Sequence, residues 1–567
     1  MKLYIQRITT LAAVSSFLWT TSCRTSDTEN TLATGGPVAI SATLDGVEFG
    51  GQTGNPQASL GKTSMVANNS MQSKTTMIDP STFITVEAIT DNSSTRGSAK
   101  LGAMAAIAPV IPDTDINKLA LPIGTRVRIA AYQGTSTATD QTKDYIVRAN
   151  GVLEPENGAL TLTHNQSYTL VVYSNGTPAL PAHSSSITYT YDNNYTDLQK
   201  DFMYRKYTNY VPNGALGTNN IVIRLQHKTT QVVTNFNFGD NIQSINNAAI
   251  GTNYTSGTIN LNNNSISTEG YVANGSSAGT VPLTVTIDPN KHGATATPVK
   301  INGASGAAGA VTTGRFTAEI NTTDLINGTA LSRNVDAPFL IKPGYKTTLN
   351  IVQGRCGANI NGVDRFFMCH NLGADYSKDP FTAAAEIHGG KTVWGAATLS
   401  LTQKEDQDTK DTYSKYFSQS PGANSSYWNS TTQGGDNNPC LPGYRVPSSD
   451  ELKQLVSNNN TLQKIGAQGS IITVFPGNSY TTGYLITSKT DKVKMFMPMT
   501  GSRNTSGFGS DITADRNNGL GTLGFYWSSS LSGGNAEYLD LSNNINPFSP
   551  ISPSGVNAVL SVRCIQK

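Results

Sequence analysis

Between Cys23 and Cys356 the sequence has no cysteine, although the 567-residue chain has five in all. That gap excludes cross-links as the means of holding the long N-terminal part together. Charge is also scarce: Asp, Glu, Lys and Arg make up 14% of the chain, and the formal net charge is +2. A chain so nearly neutral has no basic footprint, so no nucleic-acid partner is expected. The six histidines, His164, His183, His227, His292, His370 and His388, show no i, i+4 pair and no ligand spacing. There is no H-E-x-x-H, G-x-S-x-G or phosphate-loop motif. No metal, cofactor or catalytic set is therefore expected, and the chain is read as a non-enzyme. After the N-terminus no segment is long and apolar enough for a membrane-spanning helix. What is plentiful is Gly (53) and Tyr (23), with many Thr, Ser and Asn. Those residues suit a β-rich, turn-rich extracellular protein. The length suggests about three or four domains.

The N-terminus has a basic start, Lys2 and Arg7, and a short apolar run from Ile8 to Trp19. This is the pattern of an export signal, too short to cross a bilayer. It ends Thr20-Thr21-Ser22-Cys23, which resembles a bacterial lipobox, with Thr20 where Leu is usual. The resemblance implies a signal peptide at 1–22 and an acylated Cys23 anchored in outer-membrane lipid, with the protein facing the cell exterior. Residues 23–36 then read as a polar tether.

Residues 37–182 read as a first β domain, with strands at 38–42, 83–89, 125–132, 144–148, 159–162 and 167–173. In the third of these Val127 and Ile129 alternate with Arg126 and Arg128, the period of a half-buried strand. Residues 183–353 read as a second, with strands at 187–191, 221–225, 231–238, 281–287, 315–320 and 339–352. A β-sandwich is the expected form of each. The stretch from Leu121 to Tyr132, then Asp144-Tyr145-Ile146 and Tyr168 to Ser174, resembles fimbrillin-like pilus subunits of Bacteroidota. That family assembles by strand exchange after an Arg-directed cut removes an N-terminal strand. The resemblance makes Arg96, in Ser93-Ser94-Thr95-Arg96-Gly97-Ser98, the candidate cleavage residue. It also implies other fimbrial subunits as partners.

Residues 354–567 hold the other four cysteines, Cys356, Cys369, Cys440 and Cys564, which allow three pairings. Their spacing is not that of a zinc site. Ser448-x-x-Glu451 is a capping box, so a helix is expected from Ser449 to Asn458. Tyr526-Trp527 followed by serines reads as a buried strand. The acidic run Glu405-Asp406-Gln407-Asp408 reads as a solvated loop. Trp394, Tyr427 and Trp428, among Gly, Ser and Asn, are the candidates for stacking on a glycan. The ordered motifs Phe366 to Asp375, Pro439 to Leu452, Met497 to Arg503, Gly524 to Ser530 and Ser561 to Ile565 resemble the Fibrobacter succinogenes major paralogous (FISUMP) domain. Its fold is similar to the C-type lectins. The resemblance favours Cys440–Cys564, tying the last strand to the loop before the helix, with Cys356–Cys369 closing a short loop.

The whole reads as a mainly β chain, two N-terminal β-sandwich domains followed by an α+β C-type-lectin-like domain. The expected role is a surface lipoprotein, either a minor or tip fimbrial subunit or an adhesin, that binds a glycan or host protein through its C-terminal domain. A glycan-capture lipoprotein of a polysaccharide-utilisation system is the alternative. A glycan-active enzyme is a third reading, for which no acid/base pair can be named.

Overall fold

The structure, a computed structural model, describes residues 36–49, 70–90, 120–134, 136, 139–191, 194–214, 219–261, 271–303, 312–324, 328, 330–407, 421–431, 433–466, 480–490, 493–503, 523–541, 551–554, 556 and 558–567. It is mainly β. The first strands are β1 (Pro37–Glu48), β2 (Ser70–Asp79), β3 (Thr82–Thr90), β4 (Arg126–Gln133), β5 (Gln141–Val147), β6 (Val152–Pro155), β7 (Leu160–Thr163) and β8 (Tyr168–Ser174). Then come β9 (Ser186–Thr190), β10 (Met203–Tyr210), β11 (Asn219–His227), β12 (Thr230–Asn237), β13 (Asn241–Asn260) and β14 (Tyr271–Pro282). They are followed by β15 (Val285–Ile287), β16 (Gly293–Ala296), β17 (Val299–Ile301), β18 (Thr312–Thr323), β19 (Ala330–Ile341) and β20 (Lys346–Arg355).

One sheet runs β11-β10-β8-β4-β5-β6-β1-β7, and β1 also pairs with β11, so the sheet closes on itself. The expected two-sheet sandwich is here a ring, and β1 is the strand that closes it. Along β1, Val38, Ile40, Ala42 and Leu44 alternate inward, the period of a strand with one buried face. They meet Val127 and Ile129 of β4, Leu170 and Val172 of β8, and Ile221, Ile223 and Leu225 of β11 in one core. The β1–β11 pairing is parallel, from Ile40 opposite Asn219 to Glu48 opposite Gln226, with a register shift between Leu44 and Gly46. Gly46 sits at φ 136°, where a side chain would be strained, and the bulge turns Val47 back into the core.

The second unit is a sandwich. One sheet runs β15-β16-β12-β20-β3-β2, with β17 on β12; the other runs β14-β13-β18-β19, with β9 on β13. Val232 and Phe236, Leu349 and Ile351, and Ile84 and Val86 from the first face Ile250, Phe316, Ile320 and Phe339 from the second. β12 and β20 are parallel, from Gln231 opposite Lys346 to Asn237 opposite Val352.

The strands do not divide at residue 182. β2 and β3 belong to the second unit, β3 lying inside its sheet between β20 and β2, while β10 and β11 belong to the first. The cause is burial on both sides. Phe83, Ile84, Val86 and Ala88 are all buried, a density that suits an interior strand better than an edge. An aromatic seam joins the units: Tyr132, Tyr173 and Tyr204 on the outer face of the ring pack with Tyr189 and Ile259, and the Tyr204 hydroxyl donates to the Leu261 carbonyl at 2.7 Å.

The C-terminal module has β21 (Gly357–Ile360), β22 (Val363–Phe366), β23 (Thr392–Val393), α1 (Gln403–Gln407), β24 (Tyr444–Arg445) and α2 (Ser449–Gln454). After these come β25 (Asn460–Ile465), β26 (Gly483–Ser488), β27 (Lys494–Pro498), β28 (Phe525–Ser532), β29 (Asn535–Asp540), β30 (Ile551–Ser554), β31 (Val559–Leu560) and β32 (Ile565–Gln566). They form two- and three-stranded sheets around two larger cores and a small third cluster of Val393, Ala396, Leu401 and Val559. The expected capping box is formed: Ser448 accepts from the Glu451 N–H, and the Glu451 carboxylate accepts from the Ser448 N–H. The helix stops at Gln454 rather than Asn458, with Leu455 as its cap residue. Trp527 lies on β28, fully buried as expected.

The module is docked on the β2–β3 turn. The Cys356 N–H donates to the Ser81 carbonyl at 2.7 Å, and that of Cys369 to the Pro80 carbonyl at 2.6 Å. Phe83 joins the module's core and meets Phe381 edge-on at 4.8 Å. Its ring crosses Gly354, where any Cβ would collide with it at 2.3 Å.

Candidate functional site

Both cystines form as favoured on the resemblance, Cys356–Cys369 and Cys440–Cys564, with Cα separations of 5.1 and 6.0 Å. The second pins the chain end, since β32 also pairs with β24. Cys23 and Arg96 lie outside the described residues.

The glycan-stacking expectation is overturned for two of its three residues. Trp394 and Trp428 are 0% exposed and 5.4 Å apart in the core beneath β28. Their indole N–H groups are satisfied inside, Trp394 on the Ser528 carbonyl and Trp428 on the carbonyls of Ala396 and Asn437. A large ring with an internal acceptor gains more from burial than a surface position offers. Tyr427 is half-buried beside Gly395.

As far as Gln407 the acidic run is helical rather than a solvated loop, and Asp408 lies outside the described residues. Asp406 lies in α1 and is 3% exposed, contacting Lys391 Nζ and, at 2.9 Å, Arg503 Nε. Two cations, Lys391 from 15 residues before it and Arg503 from 97 residues after it, compensate its burial. Burial pushes the Lys391 ammonium below its usual range. His388, fully buried alongside, is pushed down to about 3 by burial and then by the Lys391 charge. His370 is pushed down to about 4 by burial and then by Arg563. Among the described residues no group of three or more His, Cys, Asp or Glu could hold a metal ion.

These histidines set an acid limit. Their folded values lie below the usual unfolded value near 6.5, so between the two the unfolded chain binds more protons and stability rises with pH. The contribution is complete above about pH 6.5 and is lost as pH falls towards 4 and then 3, each unit being worth ~1.4 kcal/mol. Urea midpoints followed by tryptophan emission should drop between pH 7 and pH 4.5. His388→Gln should flatten that drop, and an unchanged slope in the variant would show that His388 is not its source.

β1 is held in its ring by charged side chains as well as by its neighbours. Beyond the main-chain pairing, Asp45 accepts from Arg224 Nε at 3.0 Å, and Glu48 lies 3.5 Å from Arg224 Nη1 and 3.7 Å from Arg205 Nη1. The Tyr207 hydroxyl accepts from the Arg224 N–H at 2.9 Å. At the strand's end Phe49 stacks on the His227 imidazole at 3.8 Å, and Asp201 orients that ring through Nδ1 at 3.0 Å. The sequence reading gave β1 no special place. The signal it carried was Asp45-Gly46-Val47-Glu48, two acids across a glycine at the end of an alternating run.

A cut at Arg96 leaves β1, β2 and β3 on one fragment, and β3 pairs along its length with β20, from Thr82 opposite Arg355 to Thr90 opposite Thr347. Freeing β1 alone requires a cut in the 50–69 connection, where Lys62 is the one basic residue.

No family model and no curated protein matches this chain. Similar solved structures include the fimbrial anchor protein Mfa2 from Porphyromonas gingivalis, at 10% identity and TM-score 0.21, covering 40% of this chain and 93% of that one. A fimbrial protein from Bacteroides ovatus is 9% identical at TM-score 0.21, covering 79% and 95%. A candidate cell adhesion protein from Bacteroides uniformis is 14% identical at TM-score 0.25, covering 39% and 92%. At these scores the likeness carries no argument about fold or function.

Proposed function

We propose that this chain is a lipid-anchored surface protein that accepts a strand from another fimbrial subunit and carries a recognition head at its far end. In this reading residues 1–22 are a signal peptide, Cys23 is acylated, 23–36 are a tether, and 354–567 form a lectin-like domain. The observation that carries it is the N-terminal position of β1. It closes the ring between β11 on one edge and β6 and β7 on the other, so its departure opens a groove with unpaired backbone groups and an apolar floor. Such a groove binds an extended segment by β-augmentation. Cys440–Cys564 and the β24–β32 pairing hold Cys564 to Gln566 in the C-terminal module, so that segment is not the donated strand in this reading. The glycan-capture alternative has lost Trp394 and Trp428 to the core. The test is to recover the full chain from its membrane and run it with and without heating in detergent. A heat-labile higher band containing a second protein is expected; a single band at the monomer position in both lanes would refute strand acceptance.

A further inference from the structure

We propose that Lys391 and Asp406 join by a side-chain amide, a cross-link that the C-terminal module forms on itself once it has folded.

The two side chains touch in the core, 15 residues apart in sequence and 1% and 3% exposed. Main-chain bonds fix both of them. The Lys391 N–H donates to the Leu401 carbonyl at 3.0 Å, and the Asp406 N–H to the Thr402 carbonyl at 2.9 Å as α1 begins. An amine held against a carboxyl group in this way reacts as though at very high concentration. The two carboxyl oxygens are held differently. Lys391 Nζ contacts Oδ2, while Arg503 Nε donates to Oδ1 at 2.9 Å. Oδ1 is therefore the oxygen whose developing charge a guanidinium stabilises, and Oδ2 is the one that leaves.

The step balances within the pair. The ammonium passes one proton to Oδ2, giving an amine and a carboxylic acid. Burial favours that neutral pair over two ions, and it already pushes the Lys391 ammonium below its usual range. Nζ then bonds to Cγ, the Cγ–Oδ2 bond breaks, and a second amine proton leaves with Oδ2 as water. The nitrogen keeps its third hydrogen as the amide N–H. His388 is buried within electrostatic reach of both side chains, and its Nδ1 has no hydrogen-bond partner among the described residues. It is the base available to carry the second proton. No oxidant, reductant or cofactor enters. Lys391, Asp406 and Arg503 together carry one net positive charge before the step and one after it, so the bond adds no buried charge. A core that excludes water also disfavours the reverse hydrolysis.

The test is mass spectrometry of the full chain after reduction and denaturation, with Lys391→Met alongside. The wild type should weigh one water less than Lys391→Met once the substitution itself is allowed for, since any processing is common to both. Trypsin should then release 379–404, uncut at Lys391, joined through that side chain to 405–410, a peptide with two N-termini on fragmentation. From Lys391→Met the same two peptides should come apart. The wild-type measurement does not depend on how the variant folds. Full mass in the wild type, with 379–391 released by trypsin, would leave the pair ionic and overturn the cross-link. A missing water that persists in Lys391→Met would place the loss elsewhere and overturn it equally.

Discussion

Replacing Cys440 and Cys564 together by alanine is expected to destabilise the C-terminal module by about 5 kcal/mol. The cystine closes a separation of 124 residues, and on the chain-entropy model a loop of that length restricts the unfolded chain by ~5 kcal/mol. The 13-residue separation of Cys356–Cys369 gives ~3 kcal/mol on the same model. The larger loss should fall on the pair that holds the last strand in place. Tryptophan emission reads the module selectively, because Trp394, Trp428 and Trp527 all lie in it, and the one other tryptophan is Trp19. In urea the emission shift should come at markedly lower denaturant in Cys440→Ala/Cys564→Ala than in Cys356→Ala/Cys369→Ala. The reverse order would mean that local packing, not loop length, decides.

Arg563→Leu is expected to cost more than 3 kcal/mol, through lost hydrogen bonds rather than a lost ion pair. The guanidinium is buried, and burial lowers its pKa to about 10. Its Nε donates to Asn371 Oδ1 at 2.9 Å, Nη1 to the Met368 and Cys369 carbonyls at 3.2 and 2.8 Å, and Nη2 to the Phe496 carbonyl at 2.9 Å. One planar fork thus joins the segment after β22, the middle of β27 and the chain's last strand region. Leucine would leave those acceptors buried without donors, each costing ~1–3 kcal/mol. Arg563→Lys should recover little, since a single ammonium cannot reach three directions at once. Thermal unfolding of both variants, read by tryptophan emission, decides it. A lysine variant close to wild type would show that charge alone suffices.

The strand positions were legible because alternation is local. Val127 and Ile129, Ile221 to Leu225 and Leu349 to Ile351 each declare a buried face within a few residues. The capping box was legible for the same reason. Sheet membership was not: whether Ile84 and Val86 face the ring or the sandwich depends on β20, more than 250 residues later. The fates of Trp394 and Trp428 were hidden because an indole among glycines and serines looks the same whether its acceptor is solvent or the Ser528 carbonyl. Asp406 was misread because one of its two cations, Arg503, is 97 residues away. Asp45 and Glu48 of β1 were visible in the sequence, but the arginines they pair with lie on β10 and β11, beyond any local pattern.

The two parallel pairings have a mechanical meaning. β11 runs through His227, Lys228 and Thr229 into β12, and β20 runs into the C-terminal module at Cys356. If the chain is tethered at Cys23 and its head is pulled away, tension enters at the start of β1 and leaves at the end of β11. It then enters at the start of β12 and leaves at the end of β20. In a parallel pair those two ends are opposite, so each pairing is loaded in shear, and its cross-strand bonds must fail together rather than unzip one by one. Two such clamps in series would resist a pull along the chain more than antiparallel pairs of the same length.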